Sequence, residues 1–369
     1  SARVILGVLI LAFLWGFIAY WRSTNDCDRK TALVNPMKAI VYCEYGSPDV
    51  LKFEDVEKPA PNDDQVLIKV RAASLNALDA YLIRDTWLGR LIFGLRKPKD
   101  TRIGRDVAGQ VEAVGKNPAA AGQFKPGDEV FGICRGSLAE YAVTPERALI
   151  IKPPNASFEQ AASVPLAGLT ALQGLREGKI QPGQKVLING ATGGVGTFAV
   201  QIAKSLGAEV TAVCSTRNVD LVRSIGADHV IDYTKEDFTR SDQRYDVIFD
   251  NVANHSFAER HRVLNPKGIC VLAGMGGAGV KGGEAIRRIV GNLFIARGLA
   301  AFTDQKFAQY MTKVTKQDLI MLGDLIQAGR ITPVIERTYT LNDAPQALRQ
   351  LDAGHARGKF VITVEEASR

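Results

Sequence analysis

The sequence predicts an α/β protein: a β-rich domain interrupted by a doubly wound parallel sheet, with one apolar helix ahead of both. Three observations carry that prediction. Short β-branched runs punctuated by glycine and proline occupy the chain from Met37 to Phe131. From Phe158 strand-like runs alternate with helix-like segments, the pattern of parallel strands joined by crossover helices. Past Lys316 the pattern is mixed again, so the β-rich domain resumes. With 369 residues, 46% apolar and 23% charged, the chain can fill two cores and has an ordinary globular composition. The expected division is an apolar helix over 1–22, a linker over 23–36, the β-rich domain from 37–155 and 304–369, and the parallel sheet from 156–303.

The leading helix is the first element. Val4 to Trp21 holds no charged residue, sits between Arg3 and Arg22, and carries Trp15, Tyr20 and Trp21, aromatics favoured at a membrane interface. Its 18 residues only barely cross a hydrocarbon core of about 30 Å. It lacks the polar face of a buried soluble helix, and no A-x-A-like site follows Trp21. A single membrane anchor is the expectation, and a cleaved signal peptide is its competitor. Arg22, Arg29, Lys30 and Lys38 outweigh Arg3, which places the body on the cytoplasmic side.

Charge and cysteine usage exclude other classes. The net charge is +7, but Lys and Arg are scattered among Asp and Glu with no basic run interleaved with aromatics, so no nucleic acid is expected. Cys27, Cys43, Cys134, Cys214 and Cys270 are widely spaced without a C-x-x-C pair. They imply neither a disulfide framework nor a zinc cluster, and they fit a reducing compartment. His229, His255, His261 and His355 show no ligand spacing.

In the β-rich part, Met37 to Cys43, Gln65 to Ala73, Val107 to Gly115 and the run ending at Phe131 read as strands. One helix is expected from Phe158 to Leu175. Then comes Lys185-Val-Leu-Ile-Asn-Gly-Ala-Thr-Gly-Gly-Val-Gly-Thr-Phe-Ala-Val-Gln-Ile-Ala-Lys204, a strand, a tight glycine turn and a helix. Gly190 permits the sharp turn, Gly193 and Gly194 let backbone N–H groups approach a pyrophosphate, and Gly196 lets the helix close on the strand. The helix dipole adds to anion binding. The spacing departs from the strict dinucleotide fingerprint, and taken alone the turn could equally be an ordinary glycine-rich loop. Strands follow at Glu209 to Cys214, His229 to Ile231, Asp246 to Asp250 and Gly268 to Leu272. The chain closes with a helix from Lys316 to Ala328, a strand from Val334 to Thr340, a helix from Ala344 to Leu351 and a strand from Lys359 to Val364.

In order and spacing, several phrases together resemble the medium-chain dehydrogenase/reductase superfamily, in its zinc-independent, quinone-oxidoreductase-like branch. They are Met37-Lys-Ala-Ile-Val, Ala73-Ser-Leu-Asn-Ala-Leu-Asp79, Gly104-Arg-Asp-Val-Ala-Gly109, Phe124-Lys-Pro-Gly-Asp-Glu-Val-Phe-Gly132, Pro165-Leu-Ala-Gly-Leu-Thr-Ala171, the glycine turn, Gly226-Ala-Asp-His-Val-Ile-Asp-Tyr233 and Gly358-Lys-Phe-Val-Ile. The resemblance implies a GroES-like catalytic domain with an inserted Rossmann domain. Zinc-dependent relatives have Gly-His-Glu where this chain has Gly104-Arg105-Asp106, and a cationic Arg105 would repel Zn²⁺, so no metal is expected.

The strand after the glycine turn ends Val213-Cys-Ser-Thr-Arg-Asn218, without the acid that accepts from ribose hydroxyls in NAD sites. Ser215, Thr216 and Arg217 can donate to a 2′-phosphate, so NADPH is the expected cofactor, although Arg217 also reads as a solvated helix-start arginine. By resemblance Tyr233 joins that site and Asn76 faces the nicotinamide; Thr170 meets the nicotinamide end or packs in its helix, Gly190, Gly193, Gly194, Val195 and Gly196 hold the pyrophosphate, and Lys359 is a further cofactor-binding candidate. Asn251, Val252 and Gly274 fall at strand C-terminal ends, where such sheets bind ligands.

Without a Lewis acid, an acceptor that spreads the developing charge is favoured, namely a quinone or an α,β-unsaturated carbonyl. Tyr81 is the candidate general acid, with packing at the cleft rim as its bland alternative, and Asn76 is its catalytic neighbour. Asp79 and Asp106 are expected to hold loops. Trp87 to Leu95 and Ile289 to Ile295 could line a lipophilic pocket, lie on a membrane or pack on the protein itself. The expected activity is a metal-free NADPH-dependent reductase of a lipophilic quinone or enone. A zinc-free NADP-dependent alcohol dehydrogenase and a non-catalytic NADPH-binding membrane scaffold or sensor are the alternatives, and a homodimer is an open arrangement.

Overall fold

The computed structural model describes residues 27, 32–273, 304–354 and 356–364. The β-rich unit begins with β1 (Pro36–Tyr42), β2 (Leu51–Glu57) and β3 (Gln65–Ser74), then α1 (Ala77–Ile83), α2 (Trp87–Phe93), β4 (Asp106–Val114), α3 (Lys116–Ala120), β5 (Glu129–Ile133), β6 (Tyr141–Pro145) and β7 (Leu149–Ile151). The chain then enters α4 (Phe158–Ala162) and α5 (Pro165–Glu177). The one helix expected over this stretch is two, because Pro165 sits at the first position of α5, where its missing N–H costs nothing but where it ends the preceding turn.

The second unit alternates β8 (Lys185–Asn189), α6 (Gly194–Ser205), β9 (Glu209–Cys214), α7 (Val219–Ser224), β10 (His229–Asp232), β11 (Tyr245–Asp250), α8 (Phe257–Arg262), β12 (Leu264–Leu272) and β13 (Lys306–Gln309). Its six strands pair in the order β10-β9-β8-β11-β12-β13, every ladder parallel. Both faces of this sheet are covered, as continuous apolar runs such as Val186-Leu-Ile require. The chain closes through α9 (Lys316–Gln327), β14 (Ile335–Thr340), α10 (Ala344–Asp352) and β15 (Lys359–Thr363). β15 pairs antiparallel with β3, so the chain's end completes a seven-stranded sheet begun by its first third.

One core runs through both units. Ala72, Phe131 and Ile150 of the seven-stranded sheet belong to the same buried cluster as Leu169 and Leu172 of α5 and Phe198 and Ile202 of α6. Gly174 of α5 lets that helix lie on Phe249 and Tyr310, which an added Cβ would meet at 2.4 and 2.5 Å.

Two expectations on the N-terminal region end differently. The apolar helix falls on residues outside those described, and among the described residues no helix is long and apolar enough to cross a membrane. The cysteines, expected to build no disulfide framework, do include one bonded pair: Cys27 is joined to Cys43, with Cα atoms 5.8 Å apart. The fold brings the end of β1 back to a residue 16 positions earlier, a proximity no spacing motif announces. Cys134, Cys214 and Cys270 are buried free thiols.

Candidate active site

The site begins with a carboxylate at the head of β4. Asp106 is fully buried and accepts from Ser74 Oγ at 2.8 Å, Asn76 Nδ2 at 3.0 Å, Leu166 N at 2.9 Å and Lys359 Nζ at 3.2 Å. A buried charge persists only when paired and hydrogen-bonded, and here all four donors come from different elements. Leu166 lies in the first turn of α5, so Asp106 also places negative charge at that helix's positive end. Lys359, 3% exposed, turns to Asn76 as well, donating to Oδ1 at 2.6 Å. Asn76 is thereby held at both ends of its amide, which fixes which end is oxygen.

Asn76 caps α1 in a capping box with Asp79, whose Oδ2 accepts the Asn76 N–H at 2.7 Å. The other oxygen of Asp79 is buried without a partner among the described residues. Burial is the main reason its carboxyl is pushed up to about 6, and nearby Asp106 adds to the rise. Asp79 and Asp106 therefore hold the loop, as expected. One turn along α1, Tyr81 is half-buried and stands edge-on to Phe93, ring centroids 6.4 Å apart. No hydrogen-bond partner holds its hydroxyl among the described residues.

The glycine turn abuts this cluster. Gly193 forms a bridge with Gly358, and a Cβ on Gly194 would lie 2.9 Å from Cδ of Lys359. Gly358 has φ +107 and runs so close to Val334 O that a side chain would meet it at 2.3 Å. Gly190 takes φ +81, and a Cβ on Gly196 would strike Gly190 O at 2.0 Å, the close strand–helix approach its position requires. Gly193 differs: an added Cβ would meet nothing nearer than 3.8 Å. It is the N-cap of α6 and supplies no side-chain cap, so the first backbone N–H groups of a 12-residue helix face that open cradle beside half-buried Val195. Uncapped donors over a space kept clear by glycine fit a pyrophosphate.

Asn251 and Val252 follow β11, where Asp250 Oδ1 accepts from Val252 N at 3.1 Å and from Asn189 Nδ2 at 2.9 Å. Beneath them Arg260 donates to Asp250 at 2.8 Å, both side chains fully buried, a support that sequence reasoning missed. Thr170 Oγ1 lies 2.9 Å from Thr312 Oγ1, and Tyr310 donates to the Thr170 carbonyl. Gly274 lies outside the described residues.

In the loop after β9, Thr216 Oγ1 donates to Asp232 Oδ2 at 2.5 Å. The bond from Thr216, joined by donors from Thr234, holds the Asp232 carboxyl down at about 2. The acid absent from β9 thus arrives from the end of β10, its parallel neighbour. Ser215 Oγ accepts from buried Asn218, whose own Oδ1 has no partner among the described residues. Arg217 and Tyr233 are exposed beside them.

Residues 62–154 match the alcohol dehydrogenase GroES-like domain, and residues 225–362 match a family described as zinc-binding dehydrogenase. The chain is 37% identical over 320 residues to the trans-enoyl reductase pgmF of Aspergillus terreus, covering 82% of this chain and 87% of the relative. It is 34% identical over 341 residues to a chloroplastic NADPH-dependent alkenal/one oxidoreductase of Arabidopsis thaliana, covering 88% and 79%. The structure of the quinone oxidoreductase from Coxiella burnetii superposes with a TM-score of 0.76 at 30% identity, over 90% of this chain and all of that one.

The zinc in one family's description does not fit these residues. Asp106 already accepts from four donors, Arg105 is the cation next to it, and buried Cys134 is pushed up to about 12 by burial, far from the thiolate a metal needs. No group of three or more His, Cys, Asp and Glu converges among the described residues. With a GroES-like sheet, a parallel-sheet nucleotide cradle and relatives of enoyl- and quinone-reductase type, the chain belongs to the medium-chain dehydrogenase/reductase superfamily.

Proposed function

We propose that the protein is an NADPH-dependent reductase of quinones or α,β-unsaturated carbonyls that works without a metal. The observation that carries it is the Lys359–Asn76–Asp106 cluster fastened against the open glycine cradle, with the phenol of Tyr81 on the helix that Asn76 caps. Gly193, Gly194, Val195 and Gly196 would hold the pyrophosphate. Ser215, Thr216, Arg217 and Tyr233 would hold the adenosine side, and Asn76, Thr170, Asn251, Val252, Gly274 and Lys359 the nicotinamide side. Bound NADPH supplies the hydride. The protein's part is to position and to manage one proton: the fixed Asn76 amide and Lys359 form a rigid wall, and Tyr81 donates to the oxygen of the conjugated acceptor. Such an acceptor spreads its developing charge, so one donor suffices where the localised alkoxide of an isolated ketone needs stronger donors.

Val4–Trp21 is read as a membrane anchor and, by the flanking charges, the body as facing the cytoplasm. The test is purified protein with NADPH and a panel of quinones, enones and simple ketones. Loss of NADPH absorbance with conjugated acceptors only is expected. Turnover of simple ketones would favour an alcohol dehydrogenase, and tight NADPH binding without turnover a sensor.

A further inference from the structure

Helix α2 presents three large apolar side chains to solvent within seven residues: Trp87 is 64% exposed, Leu91 60% and Ile92 57%. Trp87 and Leu91 stand one helical turn apart on one side, and Ile92 adjoins Leu91. A soluble surface has no use for such a grouping unless something covers it. The segment is also rich in cations: from residue 84 to residue 102 the chain carries Arg84, Arg90, Arg96, Lys97, Lys99 and Arg102 against Asp85 and Asp100, with Arg84 paired to Asp352 and Arg90 to Asp85. An apolar face led by Trp and bordered by Arg and Lys matches the chemistry of an anionic lipid surface.

The fold ties the same face to the N-terminal segment. Tyr45 donates to the carbonyl of Gly94 at 2.9 Å, and the guanidinium of Arg90 lies over its ring at 5.4 Å. Gly46 N donates to the Ile83 carbonyl at 2.7 Å. Two positions before Tyr45, Cys43 is bonded to Cys27. From Trp21 to Cys27 the chain can span at most about 20 Å, at roughly 3.5 Å per residue. A bilayer that holds Val4–Trp21 is therefore on a short leash to the elements that carry α2.

We propose that the exposed face of α2 docks on an anionic lipid bilayer, the same one that holds Val4–Trp21, so that the side of the cleft carrying Tyr81 opens against lipid. Phe93, at the end of α2, packs edge-on against Tyr81, so α2 is the wall between bilayer and proton donor. Lipophilic acceptors then enter from the lipid phase. The proposal rests on the anchor and the reductase readings.

The test uses the full chain in vesicles of phosphatidylcholine with phosphatidylserine, in vesicles of phosphatidylcholine alone and in detergent, with hydrogen exchange read over 86–95. Several-fold protection confined to the anionic vesicles is expected, lost in Leu91→Glu/Ile92→Glu and weakened in Cys27→Ser. That double variant should raise KM for a long-chain enal in vesicles by tenfold or more, while leaving turnover of a short water-soluble enone unchanged. Protein that floats with the vesicles but shows no protection overturns docking and leaves the anchor standing. Protein that does not float overturns both. Protection without lipid shows that another part of the chain or a second copy covers α2, and overturns the proposal. Absence of turnover with the soluble enone would instead sink the reductase reading.

Discussion

The Lys359–Asp106 pair can be separated experimentally from its hydrogen bonds. Lys359→Met should destabilise by about 3 kcal/mol, the lower part of the range for stripping a buried charge of its partner, because Ser74, Asn76 and Leu166 N still donate. Urea unfolding measures this. Asp79 gives a pH signature of opposite origin. Its carboxyl lies near 3.8 in an open chain and at about 6 in the fold, so the folded state binds more protons between those values. Its stabilising contribution is complete below about 3.8 and is lost as pH rises through about 6. Asp79→Asn should flatten the unfolding free energy across that window, and an unchanged pH slope would show that Asp79 titrates normally. Tyr81→Phe should lower kcat by about a hundredfold with little change in the Kd of NADPH if the phenol gives the proton. Loss of only a factor of two would leave it a packing residue. At this scale the sequence spoke unevenly: the Asn76–Asp79 box lies within four residues and is legible, whereas Asp106 finds Lys359 across 253 residues and Thr216 finds Asp232 only once β9 and β10 lie side by side.

Among elements, the glycine turn allows binding to be tested apart from folding. Gly193→Ala adds a methyl to open space and should leave stability within about 0.5 kcal/mol, yet weaken NADPH at least tenfold by filling the cradle. Gly196→Ala drives a methyl into Gly190 O and should harm both. Thermal melts with and without cofactor, read together with a binding titration, distinguish the two. Arg217→Ala should cost NADPH about tenfold or more while sparing NADH, as loss of a charge-assisted hydrogen bond to a phosphate implies. Equal loss for both cofactors would return Arg217 to the solvated surface. The parallel strands were legible because fully buried strands are unbroken apolar runs, and β8, β9 and β11 fall within a residue or so of their expected limits. β2 was not: Leu51-Lys-Phe-Glu-Asp-Val-Glu57 is nearly all exposed, and its strand state comes from pairing with β1. The break before Pro165 was written in the residue itself but was overridden by helical periodicity on either side.

At the scale of the whole molecule, the two units are joined by more than a shared core. Gln201 of α6 donates to the Thr332 carbonyl at 3.1 Å and accepts from Thr332 N at 2.7 Å, beside the Gly193–Gly358 bridge. Saturating NADPH should therefore stabilise both units in one transition, by about 2.7 kcal/mol at a hundred times its Kd, and two separate transitions in calorimetry would show the units uncoupled. The position of Lys359 along the chain also sets when the site can exist. Its carboxylate partner is on β4, but Lys359 belongs to β15, which reaches β3 through the Val361–Ser74 register. A growing polypeptide can finish its nucleotide-binding half long before β15 leaves the ribosome. Until then Asp106 lacks its cation and Asn76 lacks one of its two restraints, so the Lys359–Asn76–Asp106 cluster is assembled only once β15 has joined β3.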